Sequence, residues 1–114
     1  MPRPRKRRVL ASDPRPAIYK PAGVPLDRLT CVSLLHEELE ALRLADLEGC
    51  SQAEAAAQMG VSRSTFQRLL ARARGQVALT LTGGNALRIE GGTYEVKPPR
   101  LRGPRRRRKR AQVS

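Results

Sequence analysis

Between Ser62 and Arg68 the chain reads Ser-Arg-Ser-Thr-Phe-Gln-Arg, which sets three hydroxyls, two guanidinium groups and one amide around a single phenylalanine. An arginine fork can donate two parallel hydrogen bonds to guanine O6 and N7, a glutamine amide can bridge adenine N6 and N7, and hydroxyls reach bases or phosphate oxygens. Arg63, Gln67 and Arg68 are therefore candidate base contacts. Ser62, Ser64, Thr65 and Arg72 are candidate phosphate contacts, although for Ser62 a helix-capping role is the stronger of the two readings. An arginine on a helix face is most often simply solvated, so this chemistry has to be judged with the rest of the chain.

The charge distribution supplies that context. Of 114 residues, 23 are Lys or Arg and 10 are Asp or Glu, a formal charge of +13. Residues 1–8 hold five cations and residues 97–110 hold nine, with no acid in either stretch. Residues 9–96 then carry nine cations against ten acids, a net of −1, so the basicity belongs to the ends. Dense like charge, with prolines at 2, 4, 98, 99 and 104, predicts disordered arms over residues 1–8 and 97–114. Each cation that neutralises a phosphate releases counterions, so the expected partner is a polyanion. Arg3, Arg5, Arg105, Arg106, Arg107 and Arg108 join the candidate phosphate contacts. Nucleic acid is favoured over anionic lipid, because neither arm has the apolar face of an interfacial helix. The plainer alternative is a solubilising tail.

Several classes are excluded or disfavoured. The length allows one small domain, and with three aromatics (Tyr19, Phe66 and Tyr94) and no Trp its core must be built from Leu, Val and Ala. No stretch approaches the roughly 18–20 apolar residues of a membrane span, and residues 9–14 are too short and polar for a signal-peptide core. A cytoplasmic, nucleoid-associated protein with no membrane partner is expected. Cys31 and Cys50 read as reduced and structural, and one histidine is too few for a common zinc site, so neither metal nor cofactor is expected. An enzyme is not expected either. His36 has no Cys or Ser partner in view, Glu37, Glu38 and Glu40 read as a helix start and solvated face, and the paired glycines lack the lysine and strand-to-helix setting of a phosphate loop.

The elements that must position Arg63 to Arg68 can be read in turn. Residues 9–32, with Pro14, Pro16, Pro21 and Pro25, predict an extended strap that Ile18, Tyr19, Val24, Leu26 and Leu29 could pin down. Ser33 as cap and the stripe Leu35, Leu39, Leu42, Leu44 and Leu47 predict a first helix over 34–48. Ser51 and Glu54 form a capping box that opens a second helix over 53–59, stopped by Gly60. From Ser62, Phe66, Leu69, Leu70, Ala73, Val77 and Leu81 recur at helical spacing and predict a third helix over 63–82. Gly91-Gly92 between alternating apolar residues predicts a β-hairpin over 83–96. A link of only Gly60, Val61 and Ser62 holds the last two helices at a steep angle, a helix-turn-helix over 51–74 inside a domain of 33–82.

Three stretches carry a family likeness. Residues 39–49 (Leu-Glu-Ala-Leu-Arg-Leu-Ala-Asp-Leu-Glu-Gly), 60–68 and 86–92, with the opening Met-Pro-Arg-Pro-Arg, resemble uncharacterised protein family 0251, domain of unknown function 134. The resemblance covers residues 1–92 and implies a small prokaryotic protein, described as a predicted DNA-binding protein. It also implies a helix-turn-helix like region 4 of primary-type sigma factors. Members often carry cysteines after the basic start, where this chain has residues 7–11 without one, so no metal or redox role carries over to that segment. The expected fold is mainly α: three helices in a sigma region 4-like arrangement, a small C-terminal hairpin and two basic arms. The leading functional expectation is a transcriptional regulator that reads double-stranded DNA. The alternatives are an RNA- or ribosome-associated binder driven by the tails, and an adapter that contacts RNA polymerase. A homodimer through residues 76–81 or the hairpin edge is a further possibility.

Overall fold

The computed structural model describes residues 7–96. The predicted arms 1–8 and 97–114 thus lie almost wholly outside the described residues. Their inner edge is corrected at Arg8, which is not part of a free arm but a buried strand residue.

Among the described residues ten elements follow one another: β1 (Arg8–Leu10), β2 (Ala17–Tyr19), a 3-10 turn (Leu26–Arg28), β3 (Cys31–Leu34), α1 (His36–Leu42), a π-helical turn (Arg43–Leu47), α2 (Gln52–Met59), α3 (Arg63–Gly83), β4 (Ala86–Ile89) and β5 (Tyr94–Val96). Three helices dominate, as expected, with a small set of strands.

The strands are paired differently from the predicted hairpin. β4 is the middle strand of a three-stranded sheet, antiparallel to β2 and parallel to β3, whereas β5 pairs with β1 in a separate parallel ribbon. Gly91 and Gly92 do take positive φ, 75° and 113°, but they turn the chain away from β4. The reason is that both edges of β4 are already occupied. Val32 and Leu34 alternate inward from β3, meet Leu87 and Ile89 of β4 and Ala73 of α3, and together form one apolar cluster. Burying that face fixes the β3–β4 register, because a slip by one residue would turn every apolar side chain outward. The strap is accordingly held by backbone pairing and by Ala17. Of the five residues expected as its pins, Ile18 and Tyr19 are exposed, whereas Val24, Leu26 and Leu29 are half-buried.

The first helix also starts later than expected. Ser33 and Leu34 belong to β3, and Leu35 is the N-cap. Glu38 Oε1 accepts the Leu35 N–H at 2.9 Å, the reciprocal half of a capping box. The buried face is His36, Glu37, Glu38, Ala41 and Leu44; of the expected leucine stripe, Leu44 is buried and Leu42 packs partly buried beside it, whereas Leu39 is 36% and Leu47 75% exposed. The π turn explains the shift, since the Glu48 N–H reaches back to the Arg43 carbonyl at 2.9 Å and the extra residue rotates Leu47 off the core.

α3 starts at its expected residue and α2 one residue before its own, directly after the expected Ser51 cap. Ala55, Ala56 and Met59 of α2 close against Phe66, Leu69 and Leu70 of α3 and against Ala41 and Leu44, which makes a second apolar cluster. α3 spans both clusters, and its buried row continues 66, 69, 70, 73, 80. Leu81, expected on that row, is 76% exposed, and Thr80 takes the inward position with its hydroxyl donated to the Gln76 carbonyl at 2.8 Å. No helix among the described residues is long and apolar enough to cross a membrane.

Candidate nucleic-acid interface

The turn between α2 and α3 is built from three local devices. Gly60 ends α2 in the left-handed conformation at φ 67°, which a side chain would disfavour. Its N–H and that of Val61 return to the carbonyls of Ala57 and Ala56 at 3.1 and 3.0 Å. Ser62 then caps α3, its Oγ accepting the Thr65 N–H at 3.1 Å while also meeting the hydroxyls of Ser64 and Thr65 at 3.2 and 3.0 Å. At the far end of α2, Ser51 and Glu54 exchange bonds of 3.1 and 2.8 Å, so both helices begin at fixed residues.

These devices bring most of the predicted side chains to one end of α3. Arg63, Ser64, Gln67 and Arg68 are all exposed on its first two turns, and Thr65 is half-buried beside them. Arg63 has no hydrogen bond or ion pair among the described residues. Arg68 Nη2 lies 3.4 Å from Thr65 Oγ1. Gln67 donates to Gln52 Oε1 at 2.6 Å. Gln52, the first residue of α2, is a participant that sequence reasoning missed. The only available signal was its place directly after a cap, since its partner is fifteen residues away.

Ser62 is occupied as a cap, with its hydroxyl turned to the helix. Arg72 is held from behind: its Nε lies 2.7 Å from Glu38 Oε2, a carboxylate almost wholly buried at the start of α1. It therefore fixes α1 against α3, whatever else its outer nitrogens touch. Arg3, Arg5 and Arg105 to Arg108 lie outside the described residues, so nothing places them near this face.

The electrostatics of the face are one-sided. From residue 55 to residue 89 there is no acid and there are five arginines, Arg63, Arg68, Arg72, Arg74 and Arg88. Arg74 is neutralised by Asp46, with contacts of 2.6 and 3.1 Å; this pairing holds the Asp46 carboxyl below its ordinary range and pushes the Arg74 guanidinium up. Farther off, Glu40 bonds Arg43 and raises it in the same way. Among the described residues no three His, Cys, Asp or Glu side chains form a group able to hold a metal ion, and Cys31 and Cys50 are both free thiols. What remains uncompensated at the end of α3 is a small cationic and hydrogen-bonding surface.

Comparison with known proteins gives a family and no activity. Residues 1–97 match the family described as protein of unknown function DUF134. A UPF0251 protein of Dehalococcoides mccartyi strain BAV1 is 56% identical over 96 residues, 84% of this chain and 82% of the relative. A UPF0251 protein of Caldanaerobacter subterraneus subsp. tengcongensis is 50% identical over 103 residues, 90% of this chain and 87% of that one. A third, from Thermoanaerobacter sp. strain X514, is 50% identical over 105 residues, covering 92% and 93%. No solved structure matches the chain. With the sequence motifs at 39–49, 60–68 and 86–92 all inside the matched span, the chain belongs to the UPF0251 family, which is the DUF134 family.

Proposed function

We propose that this protein is a transcriptional regulator that binds duplex DNA. In this reading α2, the turn at 60–62 and α3 act as a helix-turn-helix comparable to region 4 of sigma factors, and residues 63–74 enter the major groove. The observation that carries it is the combination at the head of α3: Arg63 exposed and uncompensated, Gln67 and Arg68 beside it, and no acid from residue 55 to residue 89. Arg63, Gln67 and Arg68 read bases. Ser64, Thr65 and Arg72 support them on phosphates, and the Gln52–Gln67 bond limits the directions in which the Gln67 amide can turn. The basic ends add sequence-independent affinity. The reading requires neither catalytic group nor cofactor.

The test is a binding selection from random duplex DNA, run on the full chain and on Arg63→Ala. A common enriched motif, abolished or relaxed at one base pair in Arg63→Ala at a cost of about 1–3 kcal/mol, is the expected result. Binding with no motif, unaffected by Arg63→Ala, would transfer the function to the basic ends and to RNA or non-specific nucleic-acid binding.

A further inference from the structure

Gln52 and Gln67 are joined across the turn at 60–62 by a bond that the packing of α2 on α3 does not require. Ala55, Ala56 and Met59 already bury against Phe66, Leu69 and Leu70, so an apolar contact fixes the two helices. Gln67 is exposed and Gln52 half-buried, and a neutral hydrogen bond at the surface adds little stability because water competes for both amides. What the bond does fix is direction. Gln67 Nε2 donates to Gln52 Oε1 at 2.6 Å, so the amide nitrogen of Gln67 is turned toward α2 and its carbonyl oxygen bonds to nothing else among the described residues. An untethered glutamine amide can turn over and offer acceptor or donor at the same place, and it then discriminates poorly among bases.

A primary amide carries two N–H donors and one carbonyl acceptor. With one N–H committed to Gln52, Gln67 keeps one N–H and its oxygen, a donor beside an acceptor. In the major groove adenine shows the matching pair, the N6 amine as donor next to N7 as acceptor, whereas guanine shows two acceptors, thymine one acceptor and a methyl group, and cytosine one donor. The contact with Gln52 and a bidentate contact with adenine use different hydrogens of the same nitrogen, so both can be made at once. Arg63 lies four residues earlier on the same face of α3 and suits the two guanine acceptors, so the two side chains address neighbouring positions. We propose, given the DNA-binding reading, that Gln52 is a positioning residue for base selection. It holds Gln67 in the orientation that accepts adenine and opposes guanine, without touching the base itself.

The test is a selection from random duplex DNA on the full chain, with the bound pool sequenced for the parent, Gln67→Ala, Arg63→Ala, Gln52→Ala and Gln52→Glu. Gln67→Ala identifies the adenine position and Arg63→Ala the guanine position. The parent should prefer adenine over guanine about tenfold at the first of these. Gln52→Ala should reduce that preference to about twofold, leave the Arg63-dependent position unchanged and keep the melting temperature within about 2 °C of the parent. Gln52→Glu should restore the adenine preference, because a carboxylate still accepts from Gln67 Nε2. Preference and not affinity is the readout there, since a new negative charge beside phosphates weakens binding to every sequence. A merely structural role would lower the melting temperature of Gln52→Ala or blur both positions, and either result overturns the proposal. So does an adenine preference that survives Gln52→Ala, one that Gln52→Glu loses as fully as Gln52→Ala, or a motif with no position dependent on Gln67. No enriched motif from the parent overturns the DNA-binding reading as well, whereas a parental motif indifferent to Gln52 overturns the role of Gln52 alone.

Discussion

Among the described glycines, Gly92 leaves the least room for a side chain, and the group that takes that room is Glu37. Both carboxylate oxygens of the buried Glu37 accept the Thr93 N–H, at 3.0 and 3.2 Å, and the carboxylate sits in the first turn of α1, where the helix dipole favours negative charge. Gly92 has φ 113°, and a Cβ placed there would run into Glu37 Oε1. Gly92→Ala should therefore destabilise the fold by about 2 kcal/mol or more, since strain and a displaced buried carboxylate act together. Gly49→Ala is the control: φ there is also positive, at 73°, but its Cβ would point into open space, and only about 1 kcal/mol is expected. Urea unfolding of both variants decides it, and equal destabilisation would mean that Glu37 yields without cost. The acids at the start of α1 were legible as helix-start residues, because that preference is local. Their burial was not, because Thr93 is 56 residues away.

At the scale of elements, the π turn and α3 are tied by Asp46 and Arg74. Both side chains are exposed, so the pair contributes little at high salt. Its sign is nevertheless defined. The folded state holds the Asp46 carboxyl below its unfolded value of 3.8. The stabilisation is thus present above that value and is lost as pH falls through the folded pKa. Asp46→Asn should lower the melting temperature slightly at neutral pH, and the gap between variant and parent should close as pH falls below 3.8 through the lower folded pKa. A gap that persists in acid would assign the effect to packing of the turn. The starts of α2 and α3 were readable because a cap is a bond between residues three apart, as at Ser51 and Ser62. The late start of α1 was not readable, since Ser33 could equally cap a helix or extend a strand. Pairing with Arg88 of β4 selects the strand.

For the whole molecule, the separation of charge gives the most direct expectation. Nine cations lie between residues 97 and 110, against an α3 face with a handful. If the ends supply affinity and α3 supplies selectivity, deleting residues 97–114 should weaken DNA binding and flatten its salt dependence. The log–log slope should fall by about 0.9 for each phosphate that is no longer neutralised. The ranking of DNA sites should be unchanged. Fluorescence anisotropy across a salt series, with preferred and scrambled duplexes, measures both quantities. A change in site ranking on deletion would place sequence reading in the tail.

The division between what sequence and tertiary structure each decide follows the range of the interactions. Helix count, both caps, the Gly60 turn, the small alanines at the α2–α3 crossing and the family all follow from residues near one another in the chain, where periodicity and local hydrogen bonding dominate. Strand pairing, the burial of Glu37 and Glu38, the commitment of Arg72 to α1 and the bond between Gln67 and Gln52 were settled only on folding. Gly91-Gly92 allowed a hairpin. β2 and β3 took both edges of β4 instead, because an apolar face buried against Ala73 outweighs the local convenience of a two-glycine turn.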